Sequence, residues 1–324
     1  MRGTRLMSAA AAVLLATVGA PPRVAAVPSR VVAALSPAAS PTPLASCRDL
    51  TAFNLLSLGD VELANTEVQG PLGVAANARL AAFSVNHVPA CAPRSIALAV
   101  GGTLNATTGM VSNGQVVVGG TGGGGLDGGK RVVLPQTVGR HCAPDGPRGS
   151  LPDFKGLART ARAVHGMLCA ASPTACKTVI TPDRRVEFRV YPNSARREAL
   201  ICRVLAADLT AATSVEVIGR GASLRRVAIL VVGSRGMAGG AIGGIGSDSR
   251  SVSLAHKGFF GFLPSTTVMS FCGVPTLTID NVGVPAAVLA PRTHLRSTYG
   301  HIEGTVIVAS ARGGVEFRHA PLNC

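Results

Sequence analysis

Val68-Gln69-Gly70-Pro71-Leu72-Gly73-Val74 and Ile302-Glu303-Gly304-Thr305-Val306-Ile307-Val308 carry one pattern near opposite ends of the chain: an aliphatic residue, then Gly two positions on, then two more aliphatics at alternate positions. Val111 followed by Gly114-Gln115-Val116-Val117-Val118 is the same unit with one residue inserted. Alternation with period two places the aliphatics on one face of a strand, and Gly marks a bend where the chain turns a corner. Such units stack as coils of a β-solenoid, which buries small aliphatics and needs few aromatics. Three independent half-buried strands satisfy the same pattern, because no fixed period links the units.

Composition points the same way. The 324 residues are 47% hydrophobic and 15% charged, which excludes a wholly disordered chain. With 39 Gly and 21 Pro against 3% aromatics and no Trp, tight turns between short apolar runs are expected rather than a large aromatic core. Further strand patterns lie at Phe53–Val118, from Val186, and at Val215–Ile218, Val227–Val232, Thr276–Ile279, Val284–Ala290 and Ile302–Ala309. One helix interrupts them, with Asp153 as N-cap, an apolar stripe of Phe154, Leu157, Ala161, Val164 and Leu168, and a stop at Ser172-Pro173. The Gly-rich stretches 119–129 and 233–246 are expected to be loops.

The N-terminus has the layout of a secretory signal peptide: Arg2 and Arg5, a 13-residue apolar run from Leu6 to Val18, then small-residue sites, with cleavage expected after Ala26. The run is too short for a spanning helix, which needs about 20 apolar residues, so no membrane span is expected in the mature chain. Residues 27–46 form an Ala/Pro/Ser-rich flexible leader, and 47–324 a single domain. Eight cysteines at Cys47, Cys91, Cys142, Cys169, Cys176, Cys202, Cys272 and Cys324 fit a disulfide framework in an oxidising compartment, with the pairing left open. No CxxC occurs and Cys169-x6-Cys176 is too wide for a zinc knuckle, so neither metal nor cofactor is expected. Asn105-Ala106-Thr107 is a glycosylation sequon, making Asn105 a candidate on a eukaryotic secretory route.

Apparent catalytic and nucleotide motifs fail on context. Gly120–Gly125 satisfies GxGxxG, but a strand rather than a helix follows, and Arg131 stands where a phosphate loop needs Ser or Thr. GxSxG and zincin spacing are absent. Asp60 and Glu62 point the same way on one strand, as a solvated face would, and His294, His301 and His319 are surface or turn histidines unless the fold gathers them. The formal charge is +15, with Arg far outnumbering Lys, yet Arg184-Arg185, Arg196-Arg197 and Arg225-Arg226 are pairs without interleaved aromatics, so no nucleic-acid partner is expected. Anionic glycans or cell surfaces remain as electrostatic partners.

Phe53-Asn54-Leu55-Leu56-Ser57-Leu58-Gly59-Asp60-Val61, continuing through Val68 and Gly70 to Val85, resembles the opening of the choice-of-anchor A domain, a secreted microbial module. Val284–Pro291, Ile302–Ala309 and Val315–Leu322 are similar to that family's closing strands, Leu98–Gly120 to its second coil, and Asp153–Ala171 to its inserted helix. Ala75-Ala76 departs from the family's paired glycines. The resemblance implies an all-β, right-handed β-helix or β-solenoid domain with one inserted helix. It also implies a non-enzymatic adhesive or wall-associated role, as in the Jonah-type cyst-wall lectins that bind cellulose and chitin. It brings no catalytic residues.

The expected protein is thus a secreted binding component of a wall, coat or envelope whose partner is a polysaccharide or cell-surface polymer. A structural or protein-adhesive module is the alternative, and a β-helical lyase or hydrolase a weaker one. The lack of Trp leaves Tyr191 and Tyr299 as the amphipathic rings for stacking. Side chains alternating with the buried aliphatics, Glu67, Gln69, Gln115, Glu303 and Thr305 with Tyr299 nearby, are the candidate ligand-binding residues. An ordinary solvated strand face is the other reading of that set.

Overall fold

The computed structural model describes residues 48–90, 95–119, 150–191, 200–219, 226–233 and 251–323. The signal peptide, the leader, Cys47, Cys91, Cys142, Cys324 and most of the Gly-rich stretches lie outside them. The described chain is all-β, with strands organised as parallel ladders.

The first ladder runs in spatial order through β11 (Leu200–Leu205), β13 (Val227–Val232), β16 (Thr267–Cys272), the start of β19 (Ala287–Ser297), the start of β21 (Val306–Gly313), β1 (Leu55–Ser57), β3 (Leu72–Val74), β5 (Ile96–Val100) and β8 (Gln115–Val118). One inward row, Cys202, Ile229, Met269, Val288, Val306, Leu55, Leu72, Leu98 and Val116, stays in register from end to end. A second ladder joins β14 (Val252–Ala255), β17 (Thr276–Asp280), the ends of β19 and β21, the starts of β2 (Val61–Val68) and β4 (Ala78–Val85), and β6 (Leu104–Ala106). The third joins β18 (Val282–Val284), β20 (Gly300–Glu303), β22 (Glu316–Arg318), the ends of β2 and β4, and β7 (Gly109–Val111). Inward aliphatics of all three, such as Leu55, Leu63 and Val68, share one buried core. A separate four-stranded sheet pairs β9 (Cys176–Ile180) antiparallel with β10 (Arg185–Val190), which continues in parallel to β12 (Ser214–Ile218) and β15 (Gly258–Phe260).

The three matched sequence units occupy equivalent positions. Val68 and Ile302 both meet Phe317 in the third ladder, and Val111 reaches Val68 through Val85. After the Gly corner, Leu72 and Val306 both meet Leu55, and Val116 reaches Leu72 through Leu98. Each unit therefore carries the chain from the third ladder to the first. Gly304 has φ +146, a conformation that L side chains rarely adopt, and a Cβ at Gly70 would lie 2.5 Å from His319 Nδ1. The same corner thus demands Gly for two different reasons.

The first described strand is inserted in mid-ladder beside a late one, since β1 lies between β21 and β3. Asn54 fastens this junction. It is 3% exposed; its Nδ2 donates to Gly304 O (2.9 Å) and Arg318 O (3.2 Å), and its Oδ1 accepts from Gly70 N (2.9 Å).

Helix α1 (Phe154–Ala170) begins as expected, with Asp153 Oδ1 accepting from Gly156 N at 2.9 Å. Its buried Ala161, Val164 and Leu168 lie on Leu56, Ala99, Leu230, Val268, Leu289 and Ile307, the outward side of the first ladder. About 25 Å of helix covers roughly five strand spacings. With both sides covered, the ladder's strands are continuous apolar runs such as Val227–Val232, buried at every position. The expectation of a single helix needs correction. A second, α2 (Ala206–Ala211), lies beside β14, with Ser253 N donating to Thr210 Oγ1 and Lys257 Nζ donating to Thr210 O and Ala212 O. Six residues are too short to show a helical stripe. A 3-10 turn, Arg48–Ala52, precedes β1.

Two disulfides are formed among the described residues. Cys169–Cys272 ties the last turn of α1 to β16, and Cys176–Cys202 ties β9 to β11.

Candidate binding faces

The outward side of the second ladder bears the most regular polar array. Its central row reads Ser253, Thr278, Arg296, Arg312, Glu62, Arg79 and Asn105, in register on successive strands. Spacing of about 4.8 Å makes this row about 29 Å long. Arg296, Arg312, Glu62, Arg79 and Asn105 are exposed. Two residues earlier on the strands runs a flanking row: Thr276, His294 and Ser310 in register, then Asp60, Asn77 and Thr103. Asp60 Oδ1 accepts from Asn77 N (3.0 Å) and Nδ2 (3.1 Å), and Asn77 Oδ1 accepts from Thr103 N (3.0 Å) and Oγ1 (2.8 Å). This ladder of side chains holds the corner leading into the face. In the central row Arg312 Nε lies 3.3 Å from Glu62 Oε2, both well exposed, so the pair contributes little to stability. Asp60 and Glu62 do point the same way, but each carboxylate is engaged by its own neighbour.

The residues expected from sequence to form one face are dispersed. Glu67, Gln69 and Glu303 lie together on the outward side of the third ladder, where Val68 and Ile302 flank Phe317. They are half-buried, and the first two are committed to neighbours. Glu67 Oε1 meets His87 Nε2 at 2.9 Å and accepts from Gln69 Nε2 at 3.0 Å, while Gln69 Oε1 accepts from His319 N at 3.1 Å. Gln115 opens β8 in the first ladder, aligned with Ile96. Thr305 does not face solvent: it is 4% exposed, and its Oγ1 accepts from Leu322 N at 3.3 Å. Tyr299 is 68% exposed at the turn before β20. Asn105, considered only as a glycan acceptor, stands on the last rung of the second ladder's central row. That row was missed because its members come from segments far apart in sequence.

His294 sits on the second ladder, its Nδ1 2.8 Å from Ser310 Oγ, whereas His301 belongs to the third ladder in register with Glu316. Burial holds His165, His301 and His319 below the usual histidine range; nearby Arg292 adds to this at His165 and Arg318 at His301. Because the folded state binds these protons less readily than the unfolded chain, stability is fully present above about pH 6.5 and falls as pH drops through and below that value. The melting temperature should therefore decrease from pH 7.5 to pH 5.5, and His301→Gln with His319→Gln should flatten the slope. A flat or inverted wild-type profile would refute the burial of these imidazoles.

A cleft of about 680 Å³ lies between the N-terminal half of α1 and the 3-10 turn, with Phe53, Ile96 and Leu157 on its walls and Asp49 and Asp153 also lining it. Asp153 is committed to the helix cap.

The described chain is all-β and presents long, registered rows of polar side chains on one side of a parallel ladder. It belongs to the family described as "Putative Ice-binding-like adhesive domain", whose model matches residues 46–319. This is an adhesive family other than choice-of-anchor A, which the chain's end segments resemble. No curated protein and no solved structure matches the chain. Membership supports a non-enzymatic adhesive role. The two disulfides fit an extracellular protein, and no helix among the described residues is long and apolar enough to cross a membrane.

Proposed function

We propose that the chain is a secreted, non-enzymatic adhesive protein that attaches to a repetitive polysaccharide of a wall, coat or envelope, released by cleavage after Ala26. The parallel ladders are the sides of a right-handed β-solenoid, and the outward side of the second ladder is the attachment surface. The observation that carries this reading is the central row from Ser253 to Asn105, a rung of hydrogen-bonding side chains about every 4.8 Å. A polymer that repeats along its axis can engage successive rungs, and many weak contacts then add up without a deep pocket. With no Trp in the chain, hydroxyl-to-side-chain hydrogen bonds replace ring stacking.

The Glu62 carboxylate accepts and the guanidiniums of Arg79, Arg296 and Arg312 donate several hydrogen bonds each, which suits a polyhydroxyl polymer as the ligand. Likeness of the chain's ends to choice-of-anchor A domains, among them the Jonah-type lectins, supports cellulose and chitin as first ligands to try. The third-ladder set Glu67, Gln69 and Glu303 with Tyr299 is the competing surface.

Sedimentation with insoluble cellulose, chitin and collagen tests the proposal. Retention on a polysaccharide is the expected result. Retention on collagen alone would replace it with a protein-adhesive role, and release of sugar ends would replace it with an enzyme.

A further inference from the structure

His165 and Cys169 are one helical turn apart on α1, so their side chains share a face of the helix. Opposite them on β16 stands Cys272. His165 Nε2 donates to Phe271 O at 3.1 Å, which leaves Nδ1, 3.9 Å from Cys169 Sγ, as the nitrogen with a lone pair to offer, and the imidazole and the two sulfurs bring their ligand atoms within 4.8 Å of one another. A tetrahedral zinc site, with Zn–S about 2.3 Å and Zn–N about 2.0–2.1 Å, places its donor atoms about 3.5–3.8 Å apart. The nitrogen–sulfur distance is already close to that value. The two sulfurs, bonded to each other here, need to separate, and the imidazole needs a small shift to bring Nδ1 to them.

We propose that the Cys169–Cys272 bridge is a latent metal site: when the disulfide is opened, His165, Cys169 and Cys272 bind a soft or borderline divalent cation such as zinc. A dithiol reductant opens the bridge by thiol–disulfide exchange, giving up two electrons and two protons as it becomes a cyclic disulfide, and leaves two protein thiols. Metal binding then releases those two protons and forms two metal–sulfur bonds. Two thiolates and an imidazole are the donor set that suits zinc. The site also borders a cavity of about 420 Å³, lined in addition by Arg203 and Arg292, which leaves room for water as the fourth ligand. The spacing arguments that exclude a zinc knuckle do not reach this site, because its two sulfurs are 103 residues apart and meet only through the docking of α1.

The consequence is a substitution of one fastener for another. In an oxidising setting the disulfide pins α1 to the first ladder; in a reducing one the metal does so.

The full chain is reduced with a phosphine, desalted under nitrogen and titrated with cobalt(II), whose thiolate complexes absorb in the near ultraviolet and visible. Wild type should bind one equivalent at this site. Cys272→Ser and His165→Ala should each weaken that equivalent about tenfold or more, since loss of mere outer-shell partners already costs about 10–100-fold. Cys176→Ser, which breaks the other bridge, should leave it unchanged. Zinc should also raise the melting temperature of the reduced wild type and not that of Cys169→Ser with Cys272→Ser. Equal cobalt affinity in wild type, Cys272→Ser and His165→Ala would overturn the proposal, as would the absence of thiolate bands. So would a reduced chain that loses helical circular dichroism and does not regain it with zinc.

Discussion

Serine at both Cys169 and Cys272 is expected to lower stability by about 4–5 kcal/mol, the chain-entropy value for a loop of about 100 residues. The bridge spans 103 residues and joins the last turn of α1 to β16. It closes the segment from the end of α1 through β9 to β16 onto one point, so the unfolded chain gains much freedom when it is cut. The native state loses something specific as well. Leu56, Leu230, Leu289 and Ile307 point outward from the first ladder and are buried because α1 lies on them. Cutting the pin lets the helix fray outward and exposes this second core. Removing Cys176 and Cys202 instead should cost about 3–4 kcal/mol, because that bridge spans only 26 residues. Denaturant unfolding of the two double variants checks the order. A smaller loss from the longer loop would mean that α1 holds its place without the bridge.

The second large effect falls on Asn54. Asn54→Ala should cost about 3–5 kcal/mol, since it strands the buried Gly304 carbonyl and the buried Gly70 N–H at about 1–3 kcal/mol each, whereas Arg318 O keeps Gly304 N and Ala320 N as donors. Asn77→Ala is the matched comparison. Asn77 also makes several side-chain hydrogen bonds, but it is exposed, so water takes over and the cost should stay near or below 1 kcal/mol. For a chain of this size the difference corresponds to a gap of about 5–15 °C in melting temperature. Equal shifts would show that the junction between β1 and β21 is not where stability is concentrated.

What sequence discloses depends on how local the physics is. Helix α1 was readable because a cap, a stripe and a stop lie within twenty residues. The Gly corners were readable because Gly70 and Gly304 each sit beside their own alternating aliphatics. Strand pairing was not: β1 meets β21 across some 250 residues, and parallel register is set by contacts that leave no local trace. Thr305 shows the cost of this. Alternation with Val306 placed its side chain outward, just before β21, but the outward side of the first ladder is roofed over, so an outward residue there is buried. Gln115 was grouped with Glu67 by spacing although it stands on a different ladder. The second-ladder row could not be assembled at all, because each strand contributes a single unremarkable Arg, Glu, Asn, Ser or Thr.

Adhesion through the second ladder is the central claim, and retention of two multiple-alanine variants on whichever polysaccharide holds the wild type tests it most directly. One variant combines Glu62→Ala, Arg79→Ala, Arg296→Ala and Arg312→Ala; the other combines Glu67→Ala, Gln69→Ala, Glu303→Ala and Tyr299→Ala. The four second-ladder changes are at exposed positions, each expected to cost no more than about 0.5 kcal/mol, so that variant should melt within a few degrees of wild type. The account predicts that it loses retention while the third-ladder variant keeps it. A folded second-ladder variant that is retained as well as the wild type would contradict the account.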